Sequence, residues 1–473
     1  MHLDNMLEWF RGEQSPEYAQ TGILTAELLG DPVFRRDHRT RYAYVVGSMY
    51  RGISSVEMVV RLGQAGILSF FGTGGLKFER VEAAMQRIQT VLTAGQPYGM
   101  NLLRDEGHPD REEDMVDLFL NYGITRIEAS AFMYVTAALV KFRAAGLSRN
   151  IDGKIVVANH IMAKLSRPEV AQAFLSPAPE ALVQELLKRN AISAEQAQML
   201  STIPMADDIC VETDSGGHTD GSSTFAVFPT MSRLRDRAMK TYAYEKKIRV
   251  GAAGGIGTPE AAAAAFLLGA DFILTGSINQ CSVEADTSDL VKDLLQAAHI
   301  QDTVYAPAGD IFETGAKVQV LNRGLLFPAR ANKLYNLYCH YNSLEEIEQS
   351  TCDEIQERYL KRSFDEVYDD IKAYYPAAFI RNVERNPKHK MALIFRSYMR
   401  LSNKLAIDGE PGRRVDYQIH CGPAMGAFNQ WVKGAPLEDW RNRHVDDISV
   451  LLLRETARFL NQRMDTFTRA AQE

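Results

Sequence analysis

The sequence predicts an α/β protein, a closed (β/α)8 barrel followed by a helical insertion that forms a lid subdomain. Three observations lead there. From about Tyr42 to Ser277 short apolar runs alternate with longer helical patterns, the arrangement of repeated β-α units on a parallel sheet. The apolar runs number eight, which closes a barrel rather than leaving an open doubly wound sheet. Near Arg330 the chain turns helical and strongly charged, up to about Arg414.

The strands are expected at Tyr42 to Val46, Ile67 to Phe71, Tyr98 to Leu102, Thr125 to Glu128, Lys154 to Val157, Asp208 to Glu212, Arg249 to Ala253 and Phe272 to Thr275. Between them, stretches such as Val56 to Gln64 and Arg80 to Leu92 repeat apolar residues three and four apart, as amphipathic helices do. The connection from Ser176 to Met205 is oversized and carries its own helical pattern, EALVQELLKR, then an N-cap signal at Ser193 with Gln196 three residues on. It reads as a flap on one end of the barrel. The domains follow: a lead-in over 1–41, the barrel over 42–329 with its insertion at 176–205, a helical lid over 330–420, and a C-terminal segment over 421–473. In that last segment DDISVLLLRETARFL forms a helix with an apolar stripe.

Composition narrows the class. With 46% hydrophobic and 24% charged residues among 473, neither wholesale disorder nor a fibrous repeat fits. Lys and Arg total 53 against 60 Asp and Glu, net −7, which argues against nucleic acid as the main partner while leaving room for a locally basic face. Such a face is present in the lid. Residues 381–414 hold nine basic side chains against three acidic ones, whereas 341–370 hold ten acidic and three basic. Five cysteines, odd in number and without a CxxC pair, read as reduced thiols in a cytoplasmic protein. The start, MHLDNMLEWFRGEQ, lacks the basic and apolar pattern of a signal peptide. No apolar stretch approaches the roughly 20 residues of a membrane span, so no membrane partner is expected.

The chemistry is expected where such barrels keep it, at the C-terminal ends of the strands. In RVGAAGGIGTPEAAAAAFLLGADFILTGS, Gly254 and Gly255 end a strand and let the backbone approach a ligand, because no Cβ intervenes. Thr258, Pro259 and Glu260 then suit the N-cap, first position and first turn of a helix. Thr275, Gly276 and Ser277 end the next strand with a second set of amides. Loops after strands seven and eight form the usual phosphate site of this fold. The spacing is not that of a dinucleotide fingerprint, since GxGxxG is absent. After strand six, VETDSGGHTDG places Gly216, Gly217 and His218 where a loop can lie against a flat ring and an imidazole can donate a hydrogen bond near neutral pH. Gly47, Ser48 and Met49 after strand one, Asn101 after strand three and Lys164 after strand five add polar groups to the same rim. Lys164 either neutralises an anion there or pairs with Glu169 or Asp214. No metal site is expected, because His108, His160 and His218 lack ligand spacing and HEXXH is absent.

These motifs resemble a known family. Asn101, SGGH at Ser215 to His218, AAGGI at Ala252 to Ile256 and TGS at Thr275 to Ser277 are marks of the nitronate monooxygenase and bacterial enoyl-acyl carrier protein reductase superfamily. AKLSRPEVAQAF, KVQVLNRGLLFPARANKLY and CGPAMGAFNQW are similar to its flavin-dependent enoyl reductases that act in trans on polyketide and polyunsaturated fatty acid synthases. The resemblance implies FMN, with its phosphate on Gly254, Gly255, Gly276 and Ser277 and its ring against Gly217 and Asn101. It implies NADPH, or NADH, as hydride donor, and reduction of an α,β-unsaturated thioester on an acyl carrier protein. His218 is then the hydrogen-bond donor to substrate, Lys164 a second catalytic candidate, and homodimerisation follows from the resemblance alone. The basic half of the lid, 381–414, is the expected carrier-protein face, with Arg396 and Arg400 in it. Two other readings stand beside this one: a nitronate monooxygenase that also uses FMN, and a flavoprotein scaffold without turnover.

Overall fold

Parallel pairing closes a barrel from eight strands, as the alternation predicts. In chain order the strands are β1 (Tyr44–Val46), β2 (Leu68–Phe71), β3 (Gly99–Leu103), β4 (Arg126–Ser130), β5 (Leu147–Arg149), β6 (Ile155–Val157), β7 (His160–Leu165), β8 (Asp208–Glu212), β9 (Arg249–Ala253) and β10 (Ile273–Thr275). The barrel runs β1-β2-β3-β4-β7-β8-β9-β10 and returns to β1, while β5 and β6 form a separate antiparallel pair. This computed structural model describes residues 24–104, 109–219 and 221–470. His108 and most of the lead-in lie outside the described residues.

Seven of the eight expected strands fall on barrel strands. The fifth does not. The run Lys154 to Val157 lands on β6, which pairs with β5 outside the barrel, and the barrel position is taken by HIMAKL, β7. Apolar patterning favours IVV over a segment containing His160 and Lys164, but burial in pairs removes that objection. Asp207 lies 3.3 Å from His160 and Glu128 lies 3.5 Å from Lys164. Lys164 is therefore a residue within a strand rather than after it.

Register positions the site. In-register parallel neighbours place Asn101 beside Glu128, Ser130 beside Lys164, and Lys164 beside Cys210. Phe34, Val45, Leu68, Phe70, Met162, Phe272 and Leu274 fill one buried cluster of this unit. The insertion after β7 forms helices Glu180–Lys188 and Ala194–Leu200, the second closed by the expected Ser193–Gln196 capping box. It is not an end flap: both helices pack on the outer helix Ala137–Ala145, and the Gln196 amide donates to the Ala144 carbonyl at 3.0 Å. The terminal helix, Val445–Ala470, packs against Pro259–Leu267 and Val56–Gln64.

At the opposite end of the strands from the rim, charge is buried in matched pairs. His38 Nε2 meets Asp208 at 2.8 Å, Arg249 holds Asp208 and Asp37 at 2.5 and 2.6 Å, and Arg143 holds Asp207 at 2.6 Å. Burial pushes the His38 imidazole down in spite of Asp208. For Asp207 and Asp208 burial acts upward but is outweighed by Arg143, Arg249 and the histidines, which hold both carboxyls well below their usual range. A histidine kept neutral contributes stability above its unfolded pKa of about 6.5 and loses it as pH falls; depressed carboxylates contribute above about 4 and lose it below. Melting temperature should therefore be level from pH 8 to 7, decline below about 6.5, and decline more steeply below about 4. A transition unchanged from pH 7 to 5 would mean that His38 is protonated within the fold.

The chain divides into two compact units. The first holds residues up to Asp214, Ser222–Asp286 and Gln430 onward; the second holds Ser215–Gly221 and Thr287–Asn429. The second unit starts earlier than the expected lid at 330. Its strands β11 (Thr303–Pro307) and β12 (Lys317–Leu321) pair antiparallel with each other, not with the barrel. Helix Phe327–His340 packs on β11 and on the long helix Pro387–Asp408. Phe312, Phe327, Leu334, Ile355, Ile394 and Tyr398 belong to the core of this unit.

Candidate functional site

In the barrel unit the strand ends converge on a buried carboxylate that the sequence reading did not single out. Glu128, at the centre of β4, has no exposed surface. Its Oε2 accepts from the Ser48 amide at 3.2 Å, from the Ser48 hydroxyl, and from Asn101 Nδ2 at 3.3 Å, and Lys164 Nζ stands 3.5 Å away. Among the described residues its Oε1 has no hydrogen-bond partner. Lys164 thus pairs with Glu128 and not with Glu169 or Asp214. Burial would lower the Lys164 ammonium, but Glu128 and Glu212 outweigh it and hold the group above its ordinary value. At neutral pH Lys164 is consequently a fixed positive charge and a poor proton donor.

Asn101 is oriented by the same carboxylate. Its NH2 donates to the Glu128 carbonyl at 3.1 Å and to Ser130 Oγ at 3.0 Å, so its amide nitrogen is committed to β4 and the carbonyl oxygen is the end it can offer a ligand. Met49 and Gly47 are likewise held through their amides, by Ser54 Oγ at 2.8 Å and the Thr275 carbonyl at 3.0 Å.

The glycine loops stand as the sequence predicts, with one change in role. Gly254 has φ +89°, and a Cβ there would lie 1.4 Å from the Thr213 carbonyl oxygen, so no other residue fits. Gly255, at φ +69°, donates its amide to the Asp214 carbonyl at 3.1 Å. It contributes close approach rather than that N–H. Thr258 caps helix Pro259–Leu267 by accepting from the Ala261 amide. Among the described residues nothing lies within 4 Å of where a Gly276 Cβ would stand, an open position at the end of β10. Thr275 turns inward instead: it bonds to the Tyr44 hydroxyl and to Asn279 Nδ2 at 2.8 Å. Gly276 and Ser277 are the members of this group left on the rim. The cradle of small residues at Gly254, Gly255 and Gly276, with an acceptor at Asn101 and an ammonium at Lys164, suits a flat, phosphate-bearing cofactor.

Gly216, Gly217 and His218 continue the chain from β8 and belong to the second unit, where β12 pairs with His218. His218 pairs with Val318 and His420 with Val320 as isolated bridges. Gly216 has no room for a side chain, its Cβ position lying 2.9 Å from the Cys421 amide nitrogen. His218 Nε2 donates to Asp310 Oδ1 at 3.0 Å. Burial would raise the Asp310 carboxyl, but His218 and Arg396 act the other way and bring it to about 2. His420 is a second histidine of the same cluster. Its Nδ1 donates to the Gly216 carbonyl and its Nε2 accepts from Gln418 Nε2, both at 3.0 Å, which fixes one neutral tautomer. Burial, with His218 adding to it, pushes the His420 imidazole down.

Asp310, His420 and Glu128 were missed by sequence reasoning. The only available signal was an acidic residue inside the apolar strand RIEAS, for Glu128. Among the described residues no cluster could hold a metal ion and no helix is long and apolar enough to cross a membrane.

The basic stretch 381–414 is less open than its charge suggests. Arg396 faces inward to Gly309, Asp310 and Glu313. Arg413 and Lys404 pair with Asp416 and Asp408, and Lys388 and Lys390 lie over the rings of Tyr338 and Tyr368. Arg400, though exposed, donates to the Tyr375 hydroxyl at 2.8 Å and lies over the Tyr374 ring, and Arg381, Arg385 and Arg414 are exposed.

The nitronate monooxygenase family matches residues 36–311, and the inserted helical domain of [acyl-carrier-protein] S-malonyltransferase matches residues 341–417. Polyketide biosynthesis protein PksE of Bacillus subtilis is 59% identical over 96% of this chain, and polyketide biosynthesis protein ThaF of Burkholderia thailandensis is 50% identical over 92%. The chain spans 59% of the first and 38% of the second, less than two thirds of either. The crystal structure of the enoyl reductase domain of MlnA, from the macrolactin cluster of Bacillus amyloliquefaciens, is 49% identical with a TM-score of 0.90, covering 93% of this chain and 99% of that domain. The chain belongs to the nitronate monooxygenase family, in the branch that contains the enoyl reductase domain of MlnA and the related polyketide proteins PksE and ThaF.

Proposed function

We propose that the protein is an FMN-dependent enoyl reductase that reduces the α,β-double bond of an enoyl thioester carried on an acyl carrier protein, in polyketide or polyunsaturated fatty acid synthesis. The observation that carries the reading is the likeness to the MlnA enoyl reductase domain over 93% of the chain. The nitronate monooxygenase match ends at 311 and leaves the helical segment unaccounted for. The match of 341–417 to a domain inserted in an enzyme of acyl carrier protein supports a carrier-bound substrate.

The chemistry FMN would supply is hydride transfer, from NADPH or NADH to the substrate β-carbon. The chain's own part is binding and electrostatics. Gly254, Gly255, Gly276 and Ser277 give a phosphate close access to backbone. Asn101 accepts from a ring N–H, and Lys164, charged and held by Glu128, offsets negative charge on the ring edge. His218 donates a hydrogen bond to the thioester carbonyl, where enolate charge develops. The α-carbon proton then comes from solvent.

Anaerobic stopped-flow tests this. Flavin absorbance should bleach with NADPH and return on adding crotonyl or a longer enoyl thioester. Return only with oxygen, together with oxidation of an alkyl nitronate, would assign the chain to nitronate oxidation instead. An FMN-loaded protein with no redox response to either would make it a scaffold.

A further inference from the structure

We infer that Arg396, in the long helix Pro387–Asp408, is a positioning residue for His218 and acts through the turn that carries Asp310. The inference rests on the role given to His218 above.

The contacts form one chain within the second unit. Asp310 sits on the connection between β11 and β12, and His218 is held to that hairpin twice, by backbone pairing with Val318 and by the 3.0 Å bond from Nε2 to Asp310 Oδ1. The turn is fixed from behind. Arg396 Nε donates to the Gly309 carbonyl at 2.9 Å and Nη2 to the Asp310 carbonyl at 2.8 Å, while Nη1 reaches Glu313 at 3.2 Å. One turn along the same helix, Met399 closes the other side: a Cβ on Gly309 would stand 2.8 Å from Met399 Cβ. A guanidinium suits this task because its fixed fork serves two carbonyls and a carboxylate at once, which an ammonium cannot reproduce. Arg396 is largely buried, its side chain 17% exposed, so it is badly placed to meet a partner protein.

The electrostatics give the arrangement a purpose. With Nε2–H directed at Asp310, any proton that His218 donates to a ligand is the one on Nδ1, so the donor form is the imidazolium. A carboxylate at 3.0 Å favours that form. Among the described residues, the other charged or titratable groups around it include His420, whose imidazole burial pushes down, and Arg396 and Glu313, which pair with each other. Arg396 keeps the carboxylate aimed at the ring while its own charge is offset by Glu313. The long helix thus tunes the imidazole through the Asp310 turn.

The test is histidine-selective 1H–15N NMR on the full chain across pH, beside kcat and KM for a small enoyl thioester and for a carrier-bound one. Asp310→Asn should move the His218 titration to lower pH, because it removes the carboxylate beside the ring. Arg396→Met should shift the same titration downward and lower kcat about tenfold on both substrates, with the alkaline limb of the profile moved to lower pH. Arg396→Lys, which keeps charge and bulk, covers the case where methionine fails to fold, and should recover the titration only in part. A wild-type His218 titration in both Arg396 variants, with KM raised for the carrier-bound substrate alone, would overturn the inference and return Arg396 to docking. Should the titration shift in a protein with no enoyl reduction, the positioning stands and the proposed activity fails.

Discussion

His218→Ala should lower the rate of reoxidation of the reduced flavin by enoyl thioester about a hundredfold, while FMN content and the rate of reduction by NADPH stay near wild type. The size follows from what is removed: one charged hydrogen-bond donor aimed at developing oxyanion charge contributes about 10²–10⁴ in rate. The lower end is expected because the proposed proton source for carbon is solvent and not the imidazole. FMN retention follows from the proposed assignment, in which Gly254, Gly255, Gly276, Asn101 and Lys164 would hold the cofactor, since these belong to the barrel unit and His218 to the second. The fold should tolerate the change, since His218 is 30% exposed and its backbone bridge to Val318 needs no side chain. Stopped-flow of the two half-reactions checks the result. An unchanged oxidative half-reaction would reduce His218 to a structural residue, and loss of FMN would mean that it serves the cofactor.

What the sequence made legible was what short-range pattern encodes. The glycines of AAGGI, the N-cap trio Thr258, Pro259 and Glu260, and the capping box at Ser193 are read from residues within four positions of one another, and each has the local geometry expected. The barrel likewise follows from alternation. What escaped was set by partners far apart in the chain. His218 and Asp310 are separated by 92 residues and Arg396 and Gly309 by 87, and no local pattern marks either pair. The same reason explains the misplaced fifth strand, because His160 and Lys164 look hostile to a barrel interior until Asp207 and Glu128 are brought beside them. It also explains Arg396, whose charge reads as surface when counted in a run of nine cations and proves internal when its acceptors are known.

Glu128→Leu should be the most damaging single change to the barrel, costing about 3–5 kcal/mol of stability in denaturant titration. The carboxylate is wholly buried and serves donors from the loop after β1, from β3 and from β7 together, through Ser48, Asn101 and Lys164. Its loss leaves the Lys164 ammonium desolvated without its main counter-charge and the Asn101 amide with fewer acceptors, and a buried charge stripped of its partner is costlier than the pair itself. Lys164→Met should cost less, because a carboxylate bonded to Ser48 and Asn101 keeps hydrogen bonds that a lone ammonium does not have. The informative protein is the double variant Glu128→Leu/Lys164→Met. If the pair is a unit, the double variant should recover about 2 kcal/mol over the sum of the singles, a coupling within the range of residues in direct contact. Additive losses would show that each group is stabilised by other neighbours and that the 3.5 Å approach carries little energy. FMN binding separates structure from function in the same set. Because Glu128 orients Ser48 and Asn101, both Glu128 variants should bind FMN more weakly at temperatures where they are still folded, whereas Lys164→Met alone should keep binding but shift the flavin reduction potential downward, having removed the positive charge that favours the reduced, more anionic ring.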